Sequence, residues 1–353
     1  MKQEEPSRKI IWAVDPFAKD LELQRSAGYA IKLLFKRGPV TIYPIYIWGV
    51  FPADLCFDLP QDHEAKIKKA AQEDFNTLTS KLAFSDINPI TVVTGAYLPI
   101  KYGVEEVISF SRKQKADLIV VSTHARKGID RLKIGSFSET LMLSVDIPLL
   151  IVNPYWKSEL RSNEILFPTD FSHESKEAFD KILEIAKVEG SHITLFHKVR
   201  YPITPTLEVA FSSCPSRSSK AFKQKIDEIH KKTTQWSARA SAEQVKIDIS
   251  IDPKSGSSAS EAILKLAKKL PGIIAMASHS GRISRLILGS TTREVIRNSN
   301  CPVWVVHPKS RAQSKVIDLN KAKSSLRSKP TEAQTAEQAI TKDPTRDDRK
   351  TGT

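Results

Sequence analysis

The chain says nearly the same thing twice, and that duplication limits what it can fold into. Residues 117–152 read DLIVVSTHARKGIDRLKIGSFSETLMLSVDIPLLIV, and residues 272–306 read GIIAMASHSGRISRLILGSTTREVIRNSNCPVWVV. Each is an apolar strand, a Ser/Thr-His loop, a basic turn, Gly-Ser, a helix and a Pro-led closing strand. Gly135 to Gly289 and Pro148 to Pro302 are both 154 positions apart, and Asp15 to Asp170 is 155. Offsets that agree to within one residue at three points mark a tandem copy of a unit of about 150 residues.

Within each copy, short and almost continuous apolar runs alternate with helical periodicity. Lys9–Val14 predicts a strand buried on both faces. Leu23, Ala27, Ala30, Ile31, Leu34 and Phe35 fall on one helical face, ended by Gly38 and Pro39. Val40–Trp48 predicts a second strand, and Pro44 within it argues for an edge or a bulge. Helices over about 62–82, 102–115 and 136–144 and strands over 89–94, 118–122 and 149–152 complete the first copy. The second predicts strands at 164–168, 192–197 and 245–251, with helices at 174–188, about 219–242 and 259–269. Alternating βα units define α/β domains with a parallel sheet and right-handed crossovers. The expected organisation is an N-terminal extension (1–7), a first domain (8–153), a linker (154–163), a second domain (164–307) and a tail (308–353). A Pro/Ser-rich loop covers 202–219. The tail lacks periodicity and has few apolar residues, so it is expected to be disordered.

Composition narrows the functional classes. Of the net charge of +14, the tail contributes a dense share, with 11 Lys and Arg against 6 Asp and Glu. Elsewhere bases and acids interleave along helices, as on a solvated face (Lys66, Lys68 and Lys69 among them), which weighs against nucleic acid as partner. Three cysteines (Cys56, Cys214, Cys301) without paired spacing argue against a disulfide framework or a zinc site and for a reducing cytoplasm. The charged start MKQEEPSRK is not that of a signal peptide, and no apolar run approaches the ~18 residues of a membrane helix.

In an open parallel sheet, ligands bind beyond the carboxyl ends of the strands where strand order reverses. Asp15 and Asp170 follow the first strand of each copy. Ser122, Thr123 and His124, like Ala277, Ser278 and His279, follow the fourth. Gly135-Ser136 and Gly289-Ser290 open the last helix, whose free N–H groups and positive dipole end favour phosphate. Arg126, Lys127, Arg131, Lys133, Arg282 and Arg285 lie in the intervening loops. This layout suits an adenine nucleotide. Each residue also has a plainer role: Ser136-x-x-Glu139 and Thr291-x-x-Glu294 match capping boxes, Asp170 and Ser172 fit N-cap duty, and the histidines fit local loop hydrogen bonds. No GxSxG, HExxH or GxxxxGK motif appears, so no catalytic constellation is expected.

These residues resemble a tandem universal stress protein over roughly 8–153 and 162–307. The PTDFS turn, the Ser/Thr-His loop, RLxxGS and the CPVWVV closing strand carry the likeness. It implies Rossmann-like domains, each a five-stranded parallel sheet of order 3-2-1-4-5 with helices on both faces. It also implies pairing through the last strand, within the chain (Leu149–Val152 with Val303–Val306) or in a homodimer, and protein partners of unknown identity. The family's phosphate signature is Gly-x2-Gly-x9-Gly-(Ser/Thr). Here it reads Ser122-x2-Ala125-x9-Gly135-Ser136 and Ala277-x2-Ser280-x8-Gly289-Ser290, so the early glycines are replaced and the second copy is one residue short. The first copy is thereby ranked the better-preserved site. The resemblance implies ATP, with Mg²⁺ accompanying it, against Val14, Asp15, Ser122, Ala125, Arg126, Gly135, Ser136 and Phe137. In the second copy it implies Thr169, Asp170, Ala277, Ser280, Gly289, Ser290 and Thr291. Two alternatives stand beside this stress regulator: a nucleotide-free dimerising scaffold, and a slow ATPase.

Overall fold

The structure, a computed structural model, describes residues 7–49, 62–95, 99–123, 136–153, 156, 163–199, 220–253, 256–270, 272–278 and 289–307. The expectations for the loops 50–61 and 202–219, for most of the two motif loops and for the tail lie outside the described residues.

The first copy runs β1 (Arg8–Ala13), α1 (Leu21–Leu34), β2 (Val40–Gly49), α2 (His63–Thr79), β3 (Thr91–Gly95), α3 (Ile100–Gln114), β4 (Leu118–Ser122), α4 (Ser136–Ser144) and β5 (Leu149–Val152). The second repeats it as β6 (Glu164–Pro168), α5 (His173–Glu189), β7 (His192–Lys198), α6 (Lys220–Ala242), β8 (Ile247–Asp252), α7 (Ala259–Ala267), β9 (Ile273–Ala277), α8 (Ser290–Asn298) and β10 (Val303–Val306). Each half-sheet is parallel in the order 3-2-1-4-5. The two join into one ten-stranded sheet, β3-β2-β1-β4-β5-β10-β9-β6-β7-β8. The junction is antiparallel, with Val303 opposite Ile151, Trp304 opposite Leu150 and Val305 opposite Leu149.

The strands are apolar on both sides because helices cover both sides. Ile10 and Trp12 join a core with α1, α2, α5 and α6, whereas Ile11 joins one with α3, α4, α7 and α8. The period of two along a strand sorts Leu118 and Val120 from Ile119 and Val121, and Leu150 and Val152 from Leu149 and Ile151, in the same way. Both cores draw residues from both copies, so the halves share their interior.

Pro44 corrects one expectation. It sits in β2, an interior strand, without interrupting it. Ile42 donates its N–H to Asp86 O, so the backbone groups of alternate residues 42 and 44 face the β3 side. There the pairing lapses between the bridge Ile42–Ile87 and the β3 ladder, which begins at Ile45–Thr91. The missing donor therefore falls where no ladder bond is required.

Candidate functional site

In both copies, strand order reverses between the first strand and the fourth. In the second copy this point is open. Beyond the ends of β6, β7 and β9 lies a cavity of about 490 Å³. The turn after β6 forms one side of it. Phe171 takes a left-handed backbone (φ 58°) that a non-glycine residue adopts only at some expense. Two short bonds hold it there: its N–H donates to Thr169 Oγ1 at 2.9 Å, and the Ser172 N–H donates to Asp170 Oδ1 at 3.0 Å. Asp170 Oδ1 also accepts from Ser175 Oγ at 2.8 Å, and Ser172 caps α5 by accepting the Ser175 N–H. The plainer N-cap reading thus holds for Ser172, whereas Asp170 braces the turn without capping α5 and lines the cavity.

The opposite wall is the start of α8. Its N-cap is Gly289, and among the described residues no side chain caps its first turn, so Ser290, Thr291 and Thr292 bring backbone N–H groups without an intrahelical partner to the cavity wall. The expected capping box at Thr291 does not form, because the N-cap falls two residues earlier, at Gly289, and the helix begins at Ser290. Glu294 instead accepts from Asn298 Nδ2 at 2.7 Å. A capping box does form at α7, between Ser258 and Glu261. The S-x-x-E spelling was there to be read, but an isolated match gives no sign of which one a helix will use.

Sequence reasoning brought Thr169, Asp170, Ala277, Gly289, Ser290 and Thr291 to the cavity, and all six line it. Ser280 lies outside the described residues. Missed were the groups from β7 and α6: His197, Lys198, Lys225, Glu228 and Lys232. The carboxyl-end rule could have flagged His197 and Lys198. Nothing local marks the α6 residues, since only packing carries them there. Lys198 is buried, and its Nζ donates to Asp252 Oδ2 at 2.9 Å and Ser257 Oγ at 3.0 Å, tying β7 to β8. His197 Nδ1 lies 2.8 Å from Thr169 O, and its ring stands 4.9 Å from that of Phe171. Burial pushes the His197 pKa down most strongly. Lys225 and Lys232 push the same way, and the Thr169 carbonyl and Asp170 oppose them.

In the first copy Val14 is buried and its N–H donates to Ile45 O at 3.0 Å. Asp15 Oδ1 accepts from the Phe17 N–H at 3.0 Å, as Asp170 does from Ser172. Tyr46 nearby has its pKa raised, by burial first and by Asp15 second. The Ser122 hydroxyl is spent on Leu23 O at 3.3 Å, and its carbonyl accepts from Ser138 Oγ at 3.4 Å. Ser136 and Phe137 begin α4, so Ser136 is its first helical residue rather than a cap. Ala125, Arg126 and Gly135, on which the ranking of the two copies rests, lie outside the described residues. Among the described residues, no three His, Cys, Asp or Glu side chains gather as metal ligands, and no helix is long and apolar enough to cross a membrane.

Fold and site together define a tandem pair of Rossmann-like domains with a ligand-sized cavity at a topological switch point. The chain belongs to the universal stress protein family, whose model matches residues 6–153 and again 162–307. It is 28% identical over 159 residues to the universal stress protein MJ0531 of Methanocaldococcus jannaschii, an alignment covering 41% of this chain and 81% of that one. Among solved structures it is similar to a universal stress protein from Archaeoglobus fulgidus, with TM-score 0.57 and 16% identity over 85% of this chain and 96% of the other. It is also similar to the functionally unknown protein PA1789 of Pseudomonas aeruginosa, with TM-score 0.52 and 14% identity over 86% and 93%. At such identities these two likenesses speak for the fold.

Proposed function

We propose that the chain is a stress-response regulator that binds an adenine nucleotide, ATP with its Mg²⁺, in the second-copy cavity. The convergence of Asp170, Ala277 and the uncapped start of α8 on one cavity carries the reading. Its volume of about 490 Å³ is within the ~300–1,000 Å³ usual for small-molecule sites. The phosphates would lie against the N–H groups of Ser290, Thr291 and Thr292, with Lys225 and Lys232 supplying positive charge across the cavity. Asp170 and Glu228 are the carboxylates available to sugar hydroxyls or to the metal ion that accompanies the phosphates. In the first copy, Asp15, Ser136 and Phe137 hold the equivalent places, Gly135, Ala125 and Arg126 are their neighbours in the sequence motif, and a second equivalent of nucleotide would bind there.

The scaffold reading draws on a different observation, the β5–β10 pairing, which joins the two half-sheets into one through backbone pairing that involves no ligand. A thermal-shift titration with Mg-ATP separates the two. Saturable stabilisation, weakened about five-fold in Lys225→Ala/Lys232→Ala at ~1 kcal/mol for the pair of partly exposed cations, supports the nucleotide reading. No shift at millimolar nucleotide transfers the protein to the scaffold class.

A further inference from the structure

The cavity has two chemically different ends, set by strand order. α8 starts beside β9, and β7 lies two strands away across β6. Neighbouring strands are ~4.8 Å apart, so the α8 N–H groups and the β7 end are separated by about 10 Å. A ligand with phosphates on α8 therefore brings its far end to His197 and Phe171. That end is aromatic: the Phe171 ring packs edge-on against Trp236 at 5.3 Å and beside the imidazole at 4.9 Å. A flat ring suits such a wall.

The hydrogen-bonding character of the imidazole is fixed from behind. The Thr169 carbonyl can only accept, so the Nδ1 beside it must carry the hydrogen. In the neutral ring this leaves Nε2 with a lone pair. Nε2 bonds to no described residue, and it is not among the buried atoms sealed without a partner. Neutrality follows from burial, which outweighs the opposing pull of the Thr169 carbonyl and Asp170. Lys225 and Lys232, facing the ring from α6, work in the same direction as burial. Lys198 and Glu228 also line this end of the cavity.

Resting on the nucleotide reading above, we propose that His197 determines base specificity. Its Nε2 accepts a hydrogen bond from an exocyclic amino group, so the site selects a 6-aminopurine over a 6-oxopurine. A 6-oxopurine sets a carbonyl against that lone pair and leaves both acceptors unsatisfied, the costly outcome in a partly buried site.

The test compares ATP with ITP, which carries a carbonyl in place of the 6-amino group, by calorimetry at pH 7.5 in the presence of Mg²⁺. Wild-type chain is expected to bind ATP about ten-fold or more tighter than ITP. His197→Phe keeps an aromatic ring but has no acceptor, and brings the ratio close to one. His197→Gln can donate to Thr169 O and accept through its amide oxygen, and restores part of the preference. Equal binding of the two nucleotides by wild type, or an undiminished ratio in His197→Phe, overturns the role of His197 while leaving the nucleotide site standing. Binding of neither nucleotide overturns both.

Discussion

His307 and Asn153 hold equivalent places after the closing strands β10 and β5, and they have opposite relations to their surroundings. Asn153 is buried, and its Nδ2 donates to the Ile296 and Ser299 carbonyls at the end of α8, across the junction between the copies. The His307 Nδ1 pairs with Ser278 Oγ at 2.7 Å, its Nε2 is buried without a partner among the described residues, and its carbonyl accepts from Lys181 Nζ at 2.6 Å. Burial first, and Lys181 second, push the His307 pKa down to about 4, with Asp146 opposing. Between an unfolded value of ~6.5 and the folded one, the unfolded chain takes up a proton that the native state refuses. Stability therefore falls as pH falls through that window, by about 2–3 kcal/mol at pH 4.5. His307→Asn, which copies the residue at the equivalent place, removes this contribution. In urea titrations at pH 7 and pH 4.5, the variant should lose less stability than wild type by that amount. Equal losses would show that the imidazole is not held neutral.

Glu189 is a second residue whose role only the fold reveals. At the end of α5 it is 1% exposed, and its Oε2 accepts the Lys36 and Arg37 N–H groups at 2.6 and 2.7 Å, just after α1 of the other copy. Glu189→Ala leaves two part-buried backbone donors without their carboxylate, and equilibrium unfolding should register about 1–3 kcal/mol of lost stability. A change under ~0.5 kcal/mol would mean that water replaces the carboxylate. In the sequence, Glu189 is the last helical residue before a C-cap glycine, indistinguishable from a solvated surface acid.

Among elements, strands were the more legible and helix starts the less. Runs such as LIVVS and VWVV are buried on both faces and need no context, whereas a helix start depends on which of several adjacent hydroxyls the chain uses. At α7 that choice is Ser258, and α7 supplies Ala259 and Ile263 to the cavity wall. Ser258→Ala should cost about 1 kcal/mol in urea unfolding. Glu294→Ala, at the spacing that looks like a capping box but is not one, should change stability by less than half of that. The reverse order would restore the capping role to Thr291 and Glu294. Gly272 is constrained differently: a Cβ there would overlap the Glu164 carbonyl where β9 passes β6. Pro44 shows the limit of reading strands from composition, because its position in an interior strand depends on where the neighbouring ladder starts.

For the whole molecule, the repeat offset of 154 anticipated two equivalent domains, and the sheet orders β3-β2-β1-β4-β5 and β8-β7-β6-β9-β10 are equivalent indeed. The cavity-lining residues at strand ends were legible because strand order alone dictates where a parallel sheet opens. The cations of α6 and the imidazole of β7 were not, because they reach the cavity through tertiary packing. Each core draws side chains from both copies, and β5 pairs with β10, so the described body should unfold as one unit. Coincident urea transitions by tryptophan fluorescence and far-ultraviolet circular dichroism would bear this out. Two separated transitions would mean that the copies are stable apart.

Titration calorimetry of Mg-ATP into the full chain, beside Gly289→Val and Gly135→Val, bears on the nucleotide site most directly. Gly289 is the N-cap of α8 and lines the cavity, so a branched side chain there should obstruct the phosphate end. The expected result is saturable heat at two equivalents in wild type and at one in each variant, the second-copy equivalent being lost in Gly289→Val and kept in Gly135→Val. Wild-type chain giving no heat, or Gly289→Val binding as wild type does, would contradict a nucleotide site in the second copy.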